Sequence, residues 1–289
     1  MPQETIDVQA EAENLEQLPP APVVTLLLPE APGIREERGE EAVIDYSNFA
    51  DGYVMVCYTA DADARLKVLV KGPTTTYSYN LPEQEWAVFP LSDGNGEYTV
   101  GVYINVTGTK YATVMTTTFQ AELVDEFAPF LRPNQYVDYA NAPNTVQLGV
   151  QLTEGLEHPL EKVAAVYDFV IHNFTYDEEK AATVKSGYLP DLDAVLEQKV
   201  GICFDYATVM TAMLRSQGVP CKLVVGYAGS VYHSWISVWT EENGWIDGAI
   251  FFDGHVWKRM DPTFASSGAG DESIMDFIEN GEYRVRYLY

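Results

Sequence analysis

Basic residues are scarce in this 289-residue chain. Lys and Arg number 17 against 43 Asp and Glu, which leaves a formal net charge of -26. So acidic a field repels phosphate backbones and anionic lipid surfaces, excludes nucleic acid as a partner, and favours neutral or cationic ones. Cysteine is almost missing: Cys57, Cys203 and Cys221 cannot build a disulfide framework, and their spacing fits no zinc pattern. Of the four histidines, His158, His172 and His255 have no metal-ligating neighbour at suitable spacing, so neither a metal site nor a cofactor is expected. No run of eighteen apolar residues occurs, so no helical membrane span is expected either. VVTLLL at 23–28 is too short for one and lacks the basic flank of a signal peptide.

What remains is enough for a folded protein. The chain is 47% hydrophobic and long enough for two domains. Its first residues are acidic, contain proline and show no hydrophobic period, so a disordered acidic spacer is expected over 1–40. This tail follows Met1 directly and has the look of the tether of an exported protein whose leader is not in this chain. The location expected is extracellular or attached to the cell surface, with membrane contact only through a leader or lipid anchor absent from this sequence.

From 41 to 124 the pattern is β. AVIDYS, YVMVCYT, LKVLV, TTYSYNL, EWAVFPL, GEYTVGVYINV and YATVMTTTFQAEL are short, rich in aromatic and β-branched residues, and separated by turns such as KGP, SDGNG and TGTK. Seven such strands without a helix predict a small all-β, immunoglobulin-like sandwich serving as spacer or binding module. A connector over 125–152 is expected next, with two prolines set against a helix through its first half. In 153–289 the period changes. Leu160, Val163, Ala164, Tyr167, Val170, Ile171 and Phe174 mark one face of a helix that has Pro159 near its start. A short helix begun by Asp191 turns Leu192, Val195 and Leu196 inward, and a longer one from about 202 to 217 closes at Gly218. Strands follow in KLVVGYA, HSWISVW, GWIDGAIFFDGH, VWKRMD and YRVRYLY. Helices first and an antiparallel sheet afterwards make an α+β domain.

Three residues in this half carry chemistry. Cys203 opens the longer helix in GICFDYA, where first-turn N–H groups and the helix dipole stabilise a thiolate. The backbone N–H of Cys203 is also a candidate oxyanion donor. His233 lies in YHSWISVW, whose alternation places it on one strand face with Trp235, Ser237 and Trp239. Asp261 in RMDPTF offers a carboxylate to hold an imidazole in one tautomer. Thiol, imidazole and carboxylate are the parts of an activated-cysteine acyl-transfer site.

GICFDYATVMTAMLRSQGVPCKLVVGYAG, YHSWISVW and RMDPTF together resemble the transglutaminase-like superfamily, a branch of papain-like cysteine enzymes. FTYDEEKAATVKSGYLP further resembles the upstream region of secreted and lipoprotein members from Gram-positive bacteria. The resemblance implies a transglutaminase-like domain over 153–289 and a catalytic triad of Cys203, His233 and Asp261. It implies attack on an amide of a protein or cell-wall peptide through a thioester, ending in hydrolysis or in transfer to an amine. Gln198, five residues before Cys203, is the nearest side-chain amide for a second oxyanion donor. Trp235, Tyr188 and Tyr176 are candidates for the walls of the substrate cleft. The calcium dependence of animal transglutaminases does not carry over, because no ligand loop is recognisable. The competing expectation is a catalytically silent protein-binding or adhesion module on the cell surface.

Overall fold

The computed structural model describes residues 25–247, 250–252, 257–259 and 282–289. Eight strands come first: β1 (Glu36–Arg38), β2 (Ala42–Asp45), β3 (Tyr53–Tyr58), β4 (Leu66–Lys71), β5 (Thr76–Leu81), β6 (Trp86–Pro90), β7 (Gly96–Thr107) and β8 (Lys110–Ala121). They form two four-stranded antiparallel sheets, in the orders β1-β2-β3-β6 and β5-β4-β7-β8. Alternation decides which side of each strand is inside. In β4, Leu66, Val68 and Val70 are buried while Lys67 and Leu69 are only half-buried and Lys71 is exposed. The inward set joins Val54, Val56, Phe89, Tyr79, Tyr98 and Val100 in one core.

The spacer expected over 1–40 needs correcting. Glu36–Arg38 pairs with β2 as an edge strand. The turn before it is held by polar side chains, since Gly33 N–H donates to Asp45 Oδ2 at 2.6 Å and Ile34 and Arg35 N–H donate to Ser47 Oγ. Such a strand has few apolar residues, so hydrophobic patterning does not reveal it. Residues 1–24 lie outside the described part.

Five α-helices follow among the described residues: α1 (Pro143–Leu152), α2 (Pro159–Asn173), α3 (Glu178–Thr183), α4 (Leu192–Gln198) and α5 (Cys203–Ser216). The first falls where a connector was expected. Ala142 offers no side-chain cap, and the free N–H groups of the first turn are satisfied from far along the chain. Asn144 and Thr145 N–H donate to the carboxylate of Asp193, and Thr145 Oγ1 donates to it as well. Gly149 then lets α1 approach the backbone of α5 at Met213, where a Cβ would stand 3.2 Å from it. Helix α4 is capped by Asp191, whose side chain accepts from Ala194 N–H. Helix α5 is the centre of the domain, buried from Asp205 to Ser216 and left by way of Gly218 at φ +73°.

The strands of this half are β9 (Thr175–Tyr176), β10 (Val200–Gly201), β11 (Cys221–Ala228), β12 (Val231–Thr240), β13 (Gly244–Asp247), β14 (Ile250–Phe252), β15 (Trp257–Arg259) and β16 (Tyr283–Leu288). β9 and β10 pair in parallel, β14 and β15 form a separate hairpin, and the main sheet runs β13-β12-β11-β16, antiparallel throughout. The α+β architecture behind an all-β region is thus what the sequence reading anticipated.

The two halves share one core rather than hanging on a tether. Tyr77 and Tyr79 of β5 set their rings edge-on to Tyr289 at 5.7 and 5.8 Å, and Tyr136 closes on the same ring at 4.6 Å. Beside this cluster Arg215 is buried and donates to three carbonyl oxygens, those of Cys221, Arg132 and Tyr289. Burial lowers its pKa to about 10, and the three acceptors satisfy a guanidinium taken wholly out of water.

Candidate active site

Cys203 is the first residue of α5. The residue before it, Ile202, is buried in an extended conformation (φ -101°, ψ 175°), so the chain arrives as a strand and turns into the helix at the sulfur. Gly201 makes the turn possible, because any Cβ there would stand 2.7 Å from Cβ of Asp205.

Asp205, fully buried one turn into the helix, holds the turn in place. Its Oδ2 accepts from Ile202 N–H at 2.8 Å and from Lys180 Nζ at 2.6 Å, and its Oδ1 accepts from Tyr188 O–H at 2.7 Å. Lys180 also lies over the Tyr188 ring, 4.5 Å from its centroid. One carboxylate therefore ties together the approach to Cys203, helix α3 and the loop carrying Tyr188. Burial, and next the hydrogen bond to Asp205, push the Tyr188 phenol well above its ordinary range, so it stays a neutral donor.

His233 comes from β12, opposite Gly226 of β11, and is 3% exposed. Its ring lies 6.2 Å from that of Trp235 and 6.5 Å from that of Tyr283. Helix α5 packs directly on β12, and Cys203 and His233 both line a cavity of about 560 Å³. Tyr176, Tyr188, Phe204 and Tyr232 form much of its aromatic wall. Tyr176 is pushed up to about 12, first by burial and then by the charge Cys203 would carry, and it lines the same cavity as Cys203. The other two thiols are unlike Cys203. Cys57 and Cys221 are buried and Cys203 is half-buried, and burial drives Cys221 up to about 12.

The structure thus brings Cys203, His233, Tyr188 and Tyr176 to one cavity. Trp235 is 4% exposed and is not part of the described lining. It packs against Tyr283, with ring centroids 5.1 Å apart, and supports His233 from behind. Gln198 is also off the described lining. Lys199 takes a left-handed conformation (φ 53°) that ends α4, leaving Gln198 exposed. Asp261 lies outside the described residues. Reading the sequence missed Asp205 and Lys180, although a carboxylate two residues into a largely apolar helix was a legible signal. It also missed the part played by Lys67, Ser78 and Asn80 of the sandwich, which line the same cavity. Among the described residues no group of three His, Cys, Asp or Glu is placed to hold a metal ion.

The family described as the transglutaminase-like superfamily matches residues 146–248. Those residues form a transglutaminase-like domain. Among curated proteins, the chain is 31% identical over 118 residues to the uncharacterized protein YebA of Bacillus subtilis, an overlap of 34% of this chain and 16% of that one. It is 28% identical over 119 residues to a protein-glutamine gamma-glutamyltransferase of Pseudomonas aeruginosa, covering 36% and 17%. It is 29% identical over 143 residues to the kyphoscoliosis peptidase of Mus musculus, covering 47% and 21%. In each case the match spans a small part of the relative's length. Among solved structures, the periplasmic domain of TgpA from Pseudomonas aeruginosa overlaps 74% of this chain and 94% of its own, at 17% identity and a TM-score of 0.37. Red sea bream transglutaminase overlaps 81% and 56%, at 12% identity and a TM-score of 0.29. At these scores the superpositions are partial. Both the cysteine-bearing turn and the histidine strand fall inside the matched segment.

Proposed function

We propose that this protein is a cysteine acyl-transfer enzyme acting on amide bonds of proteins or peptides outside the cell. The observation that carries the reading is the shared cavity: a half-buried sulfur at a helix start and a buried imidazole on the adjoining strand face one space. Cys203 Sγ attacks the carbonyl carbon of a carboxamide or peptide amide, and its proton passes to His233. The oxyanion so formed accepts from the backbone N–H of Cys203. His233 then gives its proton to the departing ammonia or amine as the C–N bond breaks, leaving a thioester on Cys203. Water or a second amine attacks that thioester, His233 takes the attacker's proton, and the thiolate is released. Asp261 is assigned the orienting carboxylate, and the Asp205 network keeps the cysteine turn in register. Hydrolysis is the default outcome, since water is the acceptor wherever no amine is held.

Release of ammonia or of a peptide fragment from a glutaminyl peptide library, followed by mass spectrometry, tests the reading. The wild-type protein is expected to turn over at least one peptide and to show a thioester adduct at Cys203 when quenched in acid, and Cys203→Ala is expected to abolish both. Turnover that survives Cys203→Ala would overturn the assignment of the nucleophile. An alkylatable Cys203 that forms no adduct with any peptide would favour the silent binding module. Secretion is tested separately, by fractionating cells that express the native gene.

A further inference from the structure

The described lining of the active-site cavity contains no Asp or Glu at all. In a chain with 43 acidic and 17 basic residues this inverts the general balance. The lining does contain Lys67 and Lys185, which come from opposite halves of the molecule. Lys67 stands on the outward face of β4, in register with Asn80 of β5. Its Nζ donates to Asn80 Oδ1 at 2.7 Å, and Asn80 Nδ2 donates to the carbonyl of Gly187 at 3.3 Å. The sandwich wall is thereby joined to the loop that carries Lys185 and Tyr188. Asn80 takes up one ammonium proton of Lys67 and leaves donor capacity for a ligand.

Neither lysine forms an ion pair with a described carboxylate. Burial, with Arg65 nearby as a like charge, works against the charged form of Lys67, and the opposite charge of a bound anion would offset this. A cationic wall facing a nucleophile, in a protein otherwise negative, is a local arrangement for taking up a negative group.

We propose that Lys67 and Lys185 form a carboxylate-recognition subsite across the cleft from Cys203, so that the acyl donor is a short peptide segment bearing a carboxylate within the same cavity as the reacting amide. This deepens the acyl-transfer reading and rests on it for the word donor. The β-sandwich is then a specificity element rather than a spacer. The carboxylate can come from an Asp or Glu side chain or from a peptide C-terminus.

Equilibrium binding to the Cys203→Ala protein separates these cases without needing turnover. Four unlabelled glutaminyl peptides are compared by calorimetry at low salt: neutral with an amidated end, Asp-containing with an amidated end, neutral with a free C-terminus, and Lys-containing with an amidated end. The Asp peptide, the free-acid peptide or both should bind about five- to tenfold more tightly than the neutral one, with the advantage shrinking as salt screens the contact. Lys67→Gln, which keeps a donor for Asn80 while removing the charge, should cancel that advantage, read as the ratio of the carboxylate and neutral peptides' affinities within the variant. Equal binding of all four peptides, absence of binding, or an advantage that survives Lys67→Gln combined with Lys185→Gln would overturn the subsite. Turnover of the neutral peptide by protein with Cys203 intact reports on acyl transfer alone. Its loss beside a retained carboxylate preference would sink the enzyme and spare the subsite.

Discussion

Replacing Asp205 in two ways separates its charge from its hydrogen bonds. Lys180 Nζ and Ile202 N–H both donate to Oδ2, and Tyr188 O–H donates to Oδ1. An Asn at 205 can keep this geometry, with its oxygen in the Oδ2 position and its amide donating to a rotated Tyr188 hydroxyl. Asp205→Asn should then lose only the charge assistance, about 1–2 kcal/mol. Asp205→Ala removes every acceptor and strands a lysine. Breaking a buried pair costs roughly 3–5 kcal/mol, and the Lys180 side chain keeps 26% of its exposure, so water covers part of the loss. The lower part of that range, about 3 kcal/mol, is expected. At roughly 2.1 cal/mol/K per residue the melting entropy of the whole chain is about 0.6 kcal/mol/K, so Asp205→Ala should lower Tm by about 5 °C and Asp205→Asn by about 2–3 °C. Urea titration and calorimetry measure both, and the alkylation rate of Cys203 reports whether its turn has shifted. Equal losses for Asn and Ala, or a negligible loss for Ala, would refute the assignment of these hydrogen bonds.

Iodoacetamide at pH 8 should modify Cys203 alone in the folded protein. Cys221, pushed up to about 12 by burial, would be thiolate only to about one part in ten thousand at that pH even if it were reached, and peptide mass spectrometry that finds Cys221 labelled as fast as Cys203 would contradict this. Gly226→Ala should separate β11 from β16, because its Cβ would run into the carbonyl of Arg284 and stand 2.9 Å from the Trp235 ring. A loss of about 2–3 kcal/mol by urea titration is expected, together with slower alkylation at Cys203, since Gly226 is the register partner of His233. Lys222 has its ammonium 3.5 Å from the Trp245 ring centroid, and burial lowers its pKa to about 8. The unfolded chain holds that proton up to about 10.4, so between pH 8 and 10 it binds more protons than the native state and the contribution of Lys222 to stability rises with pH. Lys222→Met should flatten this rise in urea titrations at pH 8, 9 and 10, and identical slopes would exclude the lysine as its source.

Much of the domain was legible because its signals are local. Asp191 and the inward set Leu192, Val195 and Leu196 define α4 from eight consecutive residues, and Gly218 marks the end of α5 in the same way. Helix α1 was hidden because its cap is Asp193, supplied from another helix. Gln198 looked suitable by distance along the chain, but Lys199 ends the helix and leaves it in water. Cys203 and His233 were recognisable from their motifs, whereas their common cavity depends on how α5 lies across β12. Lys67 carried no signal at all. A lysine on an outward strand position reads as solvated until the tertiary arrangement brings it to the cavity that Cys203 lines.

The tyrosine contacts between β5 and the last residues of the chain bear on how this protein can be cut for study. A fragment trimmed to the matched segment, 146–248, would shed β16 and leave β11 with an unprotected flank ready to recruit a neighbouring chain. It would also uncover Tyr136's former surroundings and remove two of the three carbonyls to which Arg215 donates, those of Arg132 and Tyr289. Similarity marks out residues 146–248, but the core that packs around them reaches from the first sheet to residue 289.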